Sequence, residues 1–219
     1  MIFYFTATGS AKFIAERISS ETGEPIENIT ECVQAGRFAF DLGAGGTVGI
    51  VSPVYFRGVP MIVEEFLRQL SIPREPGTYS YVVLNSSGTN GAAEKFARSL
   101  FQANAVFDVA TVSNYVPMYQ VGSAEKVKRQ LDGTQREVDA IVELIKDRRT
   151  GVFKSSAGRV ANLSPSLFYP VYKNGKKPSK FAEGEASAGG GTCAGDCPRN
   201  ASGLDGGRPV WTAPPRERC

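Results

Sequence analysis

Thr6-Ala7-Thr8-Gly9-Ser10-Ala11 sets three hydroxyl groups and one glycine between a short apolar run, Ile2 to Thr6, and a stretch with apolar residues at Ala11, Ile14, Ala15 and Ile18. That second spacing has a period near 3.6, so the segment reads as strand, tight loop and amphipathic helix. A helix that starts at such a loop offers free backbone N–H groups and the positive end of its dipole, which favour an anion such as phosphate. Gly9 lets the backbone turn tightly and approach a ligand. The loop itself holds no lysine, which separates it from an ATP-binding P-loop; Lys12 falls just inside the helix. An N-capping turn built from ordinary serine and threonine accounts for the same residues without a ligand.

Further loops carry side chains suited to a flat heterocycle. Pro53-Val54-Tyr55-Phe56-Arg57-Gly58-Val59-Pro60 puts two aromatic rings and a glycine after an apolar strand, where a ring could stack. Asn85-Ser86-Ser87-Gly88-Thr89-Asn90-Gly91 is polar and glycine-rich, able to hydrogen-bond the edge of a heterocycle through its backbone. Ser113-Asn114-Tyr115-Val116-Pro117 follows a later strand. For Tyr55 and Phe56 plain packing is the competing account, for Arg57 a solvated charge, and for Asn114 and Tyr115 a strand-end hydrogen bond with apolar packing. The chain has no histidine, which removes Ser-His-Asp and Cys-His catalysis and His-ligated metal sites.

Those loops need a frame, and the order of apolar patterns supplies one. Strands are expected at Ile2 to Thr6, near Pro25 to Ile29, and at Thr47 to Ser52, Tyr79 to Leu84 and Val106 to Val112. Helices should follow from Pro60, with Ile62, Val63, Phe66, Leu67 and Leu70 inward, and over Ala92 to Phe101, with Ala93, Phe96, Ala97 and Leu100 inward. A last long helix from about Ser123 to Lys146 should bury Val127, Leu131, Val138, Ile141, Val142 and Ile145. Gly23 to Gly45 shows no helical period and reads as an irregular connection around its strand. Strands alternating with helices imply an α/β fold with a parallel sheet, whose ligand sites lie beyond the carboxyl ends of the strands.

Composition sets the outer bounds. With 219 residues, 42% hydrophobic and 21% charged, the chain supports one core plus an appendage. A net charge of +3, with basic residues scattered among acids, gives no footprint for nucleic acid. No apolar run approaches about 18 residues and the start lacks a secretory pattern, so a cytoplasmic protein without a membrane span is expected. Cysteine usage, with Cys32 apart from Cys193, Cys197 and Cys219, suggests no disulfide framework and fits a reducing compartment.

Phe5 to Lys12, Pro53 to Pro60 with Val63-Glu64-Glu65-Phe66-Leu67, and Asn114-Tyr115-Val116-Pro117-Met118 together resemble the flavodoxin family, most closely the flavodoxin–ferredoxin fusion proteins of anaerobic bacteria and archaea. The resemblance covers roughly residues 1–150 and implies a doubly wound, five-stranded parallel sheet of order 2-1-3-4-5. It further implies FMN as cofactor: Thr6, Ala7, Thr8, Gly9, Ser10 and Ala11 around the phosphate; Pro53, Val54, Tyr55, Phe56, Arg57 and Gly58 flanking the isoalloxazine; Ser86, Ser87, Gly88 and Thr89 at its other edge. A backbone carbonyl near Phe56 to Gly58 would meet flavin N5–H in the reduced state, and Asn114 and Tyr115 complete the implied set. The family's phosphate loop usually ends in threonine or serine where this chain has Ala11. One lost hydrogen bond to a charged group costs about 1.5–3 kcal/mol, which weakens binding without abolishing it.

After Gly151 the pattern of strands and helices gives out, and residues 151–219 read as an irregular linker and tail with a flexible Gly189-Gly190-Gly191 run. Cys193-Ala194-Gly195-Asp196-Cys197-Pro198, with Asp205 to Trp211 and Cys219, resembles a degenerate ferredoxin module. A [4Fe-4S] cluster needs four thiolates where the tail has three cysteines, so Cys193, Cys197 and Cys219 are not expected to hold one. The implied function is electron transfer with redox partner proteins such as ferredoxin or oxidoreductases. A cofactor-free scaffold of the same fold, and a flavin-dependent NAD(P)H or quinone reductase, are the alternatives.

Overall fold

The computed structural model describes residues 1–73, 75–88, 90, 93–113 and 122–153, and the backbone of 202–205 and 208–211. The chain divides into two compact units, Met1–Tyr172 and Lys173–Cys219. In the first, β1 (Ile2–Tyr4), β2 (Ile26–Asn28), β3 (Thr47–Pro53), β4 (Tyr79–Ser86) and β5 (Ala105–Ala110) form one sheet of order β2-β1-β3-β4-β5. Every pairing is parallel. Helices α1 (Ser10–Thr22), α2 (Ile29–Gln34), α3 (Met61–Gln69), α4 (Ala93–Leu100) and α5 (Ala124–Lys146) make the crossovers. This is the doubly wound architecture that the sequence implies.

Both faces of the sheet are buried, which is why β4 reads as a continuous run, with Tyr79 to Asn85 all buried. Alternation sends Tyr79, Tyr81 and Val83 into one cluster, with Ile14, Ala15 and Ile18 of α1 and Val138, Ile141 and Val142 of α5. Val82 and Leu84 enter the other, with Ile62, Val63 and Phe66 of α3 and Ala93 and Ala97 of α4. Alpha1 and α5 therefore share one face of the sheet. Arg17 ties them further, with its Nε 2.8 Å from Asp139 Oδ1, and Lys146 Nζ lies 3.0 Å from Glu21 Oε2.

Two expectations are corrected. Gly23 to Gly45 contains a helix, the six-residue α2, because the Asn28 side chain accepts the Thr30 N–H at 2.9 Å and caps it. Ile29 and Cys32 are its buried apolar residues, too few to reveal a period. In α5 the expected core residue Leu131 is 55% exposed and Val127 only half-buried. The reason is length: at about 1.5 Å per residue the 23-residue helix outruns the six-residue β5, and its first turns project past the carboxyl edge of the sheet. Only from Thr134 onward does it bury a face.

Residues 151–153 add to the first unit, through the Gly151 N–H to Asn104 C=O bond of 2.9 Å and a bridge between Phe153 and Val106. In the second unit, where no element is expected from the sequence, β6 (Ser202–Asp205) and β7 (Arg208–Trp211) form an antiparallel pair, with Ser202 opposite Trp211 and Asp205 opposite Arg208.

Candidate functional site

The loops that leave β1, β3 and β4 gather at one edge because parallel strands all end on the same side. Gly9 stands just before α1 with φ 96° and ψ −25°, a conformation open to glycine and strained for other residues. Its N–H donates to Thr6 Oγ1 at 2.9 Å, which folds the loop onto the end of β1. The first intrahelical bond is Phe13 N–H to Gly9 C=O at 2.9 Å, so the N–H groups of Ser10, Ala11 and Lys12 precede the ladder. No side chain caps them and no acid lies in the first turn. Ser10 adds a hydroxyl. Lys12 is half exposed and pairs with Glu16 at 3.7 Å.

Ala11 contributes differently from its neighbours. Its methyl lies in the core beside α5, 1% exposed, so the position offers an anion its backbone N–H while its side chain packs inward. The missing hydroxyl is thus replaced by core packing. Ala7 and Thr8 are exposed at the loop's outer rim.

After β3 the chain makes a tight hairpin. Tyr55 N–H donates to Gly58 C=O and Gly58 N–H to Tyr55 C=O, each at 2.9 Å, enclosing Phe56 and Arg57. Both enclosed residues are left-handed, with φ 48° and φ 65°, as the first type of primed turn requires, although asparagine and glycine are the usual occupants. Two side chains held in this region cost about 1–2 kcal/mol each. The turn presents the Phe56 ring at 57% exposure, while Tyr55 and Arg57 are half-buried and Gly58 is buried. Pro53 ends β3 and Val54 joins the edge through its N–H to Asn85 C=O at 3.0 Å.

Beyond β4, Ser86 Oγ lies 2.9 Å from Gly88 O and 3.3 Å from Gly88 N, curling the loop back on itself, with Ser87 exposed. The fourth residue expected there, Thr89, lies outside the described residues, as do Asn114, Tyr115, Cys193, Cys197 and Cys219. Two residues of the Asn85 to Gly91 loop that the resemblance did not place among the flavin contacts are buried: Asn85, 5% exposed, and Asn90, 1% exposed. Their amide chemistry was visible, but the burial of Asn85 at the end of β4 and of Asn90 just before α4 leaves no mark in a polar loop. A cleft of about 470 Å³ opens between α1 and α5, walled by Ser10, Phe13, Thr111, Leu131 and Gln135.

The donor set fits a phosphate: uncapped N–H groups with two nearby hydroxyls, Thr6 and Ser10, and no carboxylate at the helix start. The exposed aromatic on a fixed turn fits a flat ring beside it. Cys32 plays no part. It is buried at 0% exposure on the inner face of α2, burial pushes its thiol above the ordinary value, and Arg37 Nη2 lies 3.6 Å from its sulfur. Among the described residues, no group of three or more metal-binding side chains is assembled and no helix is long and apolar enough to cross a membrane.

A five-stranded parallel sheet of order 2-1-3-4-5 with helices packed on both faces defines a doubly wound α/β class of protein. Within that class the chain belongs to the flavodoxin domain family, whose pattern matches residues 1–140. No curated protein matches it. Among solved structures it is similar to Fusobacterium nucleatum flavodoxin bound to flavin mononucleotide, at 14% identity over 68% of this chain and 97% of that one, with a TM-score of 0.42. A Streptococcus pneumoniae flavodoxin gives 16% identity over 64% and 97%, TM-score 0.37. An azoreductase from Bacillus anthracis gives 11% over 65% and 98%, TM-score 0.41.

Proposed function

We propose that the chain binds FMN non-covalently at this edge and serves as an electron carrier for redox partner proteins. The observation that carries the reading is the uncapped start of α1, with left-handed Gly9 ahead of it, in a chain of the flavodoxin domain family. Bound FMN supplies reversible uptake of electrons, which no side chain of this site provides. The chain's part is to bind and orient. The N–H groups of Ser10, Ala11 and Lys12, with the Thr6 and Ser10 hydroxyls, hold the phosphate. Phe56 and Tyr55 cover one side of the ring and limit its contact with water, and Ser86 to Gly88 bound its far edge. The paired Tyr55–Gly58 bonds hold the turn that would carry Tyr55 and Phe56 against the ring.

Calorimetric titration of apo-protein with FMN tests this directly. A one-to-one isotherm at micromolar or lower Kd is expected, and no heat at tens of micromolar protein would refute it, leaving the cofactor-free scaffold. The cleft beside Ser10 and Phe13 favours one second reading, a flavin-dependent reductase that admits a small acceptor between α1 and α5. Steady-state oxidation of NAD(P)H by the FMN-loaded protein with a quinone acceptor separates that from a carrier. In the carrier reading the tail is a remnant without a cluster, and the purified chain contains no stoichiometric iron.

A further inference from the structure

Asn85 has a backbone fully used by the sheet and a side chain that is not. Its C=O accepts the Val54 N–H at 3.0 Å, and it pairs in register with Pro53 on one side and Val109 on the other. Its side chain is 5% exposed, and Oδ1 has no hydrogen-bond partner among the described residues. By strand alternation it leaves β4 on the face of Tyr81 and Val83, the face that carries α1 and α5. A buried amide oxygen without a donor carries its whole desolvation penalty, and such groups are rare unless something absent satisfies them. An aliphatic residue would fill the place as Val83 and Val109 fill theirs. Ser113 Oγ, beyond the end of β5, is likewise buried without a partner.

The position explains what could satisfy it. Tyr4 pairs with Val51, and Phe5 N–H to Val51 C=O at 3.1 Å carries that register one residue further. Continued once more, it sets Thr6 beside Pro53 and so two strands away from Asn85, about 10 Å across the sheet. A ligand whose phosphate sits at Thr6 and Ser10 reaches Asn85 with whatever follows the phosphate. We propose that Asn85 is a specificity-determining residue of the flavin site, its Oδ1 accepting a hydrogen bond from an N–H or O–H of bound FMN. This rests on the FMN reading.

The test compares wild type, Asn85→Leu and Asn85→Ala in two measurements, FMN affinity by fluorescence titration and thermal midpoint of the apo-protein. Loss of one such bond should raise the FMN Kd of Asn85→Leu about tenfold. Its apo-protein should melt no lower than wild type, since no bond is lost there. A lowered midpoint with unchanged Kd assigns the amide to structure and overturns the proposal, as does unfolding of both variants. Unchanged Kd and midpoint also overturn it. Failure of wild type to bind FMN sinks the FMN reading instead, and is distinguished by that alone. Repeating the pair with lumiflavin, which lacks the ribityl phosphate, identifies the donor: a retained wild-type advantage points to the ring N–H, and its loss to a ribityl hydroxyl.

Discussion

Gly9→Ala separates what the phosphate loop does for the fold from what it does for the ligand. With φ at 96° the residue lies in the left-handed half of the map, where an added Cβ costs about 1–2 kcal/mol. Alanine also restricts the unfolded chain, which returns about 0.4–1 kcal/mol, so a net loss of about 0.5–1.5 kcal/mol is expected. For a domain of this size that is a fall of about 1–6 °C in the apo-protein's Tm. Among the described residues, nothing beyond its chain neighbours lies within 4 Å of the added Cβ, so the variant meets no clash there. The methyl would instead occupy the open space through which a phosphate approaches Ser10. Displacing one charge-assisted bond there costs about 1.5–3 kcal/mol, or roughly 10- to 150-fold in FMN Kd. Riboflavin, which has no phosphate, should lose less than about threefold by the same arithmetic. Parallel fluorescence titrations with both ligands, alongside circular-dichroism melting, provide the measurement. Equal losses for FMN and riboflavin, or no loss for either, would refute the placement of the phosphate at this loop.

The remaining predictions concern the tyrosines of β4. Tyr81 is fully buried, its hydroxyl has no partner among the described residues, and its ring lies so close over Gly49 that a Cβ there would stand 2.3 Å from Cζ. Tyr81→Phe removes an unsatisfied polar group at almost constant volume and should stabilise by about 1 kcal/mol, raising Tm by about 2–4 °C; a fall of that size would show that the hydroxyl has a partner. Burial pushes the Tyr79 hydroxyl from 10.0 up to about 12, and pushes Tyr81 well above 10.0. The unfolded chain then ionises first, so stability is full below pH 10 and declines as pH rises through 12. Urea midpoints measured across that range should fall with pH, and Tyr79→Phe should flatten the first part of the decline; a level profile would contradict the burial argument.

Much of the frame was legible because it rests on periodicity. Ala11, Ile14, Ala15 and Ile18 all proved buried, and β4 and β5 lie where apolar runs place them. Alpha2 escaped notice because six residues hold less than two turns, and its signal lies in Asn28, whose cap and strand-end roles look alike in sequence. Leu131 misled for the opposite reason: its helical spacing is regular, but amphipathic periodicity does not tell where the sheet stops. At the site, Gly9 was readable from glycine's backbone freedom. The left-handed pair Phe56-Arg57 was not, since neither residue favours that region and only the paired Tyr55–Gly58 bonds impose it.

Backbone strain and orphaned polar atoms occur at both ends of this molecule, so their meaning depends on what offsets each. Arg148 is left-handed with φ 48°, yet its guanidinium donates to Gly77 O at 3.0 Å and Gly45 O at 2.7 Å, so the compensation is internal. Tyr81 and Asn85 form a closer comparison. They lie on the same strand and the same face, four residues and so about 13 Å apart, and each buries an oxygen without a partner. For Tyr81 the unpartnered atom is the tip of a ring that fills the core over Gly49, well short of the strand's carboxyl end. Asn85 has no ring to justify it and stands at that end, in line with the loop that starts α1. If orphaned oxygens here were only packing residue, removing either should improve stability and leave FMN binding alone. If Asn85 belongs to the site, Tyr81→Phe alone stabilises without touching affinity, while Asn85→Leu exchanges affinity for nothing lost in the fold. Tyr81 thereby serves as the internal control for Asn85, a buried oxygen on the same strand and face but four residues further from the ligand edge.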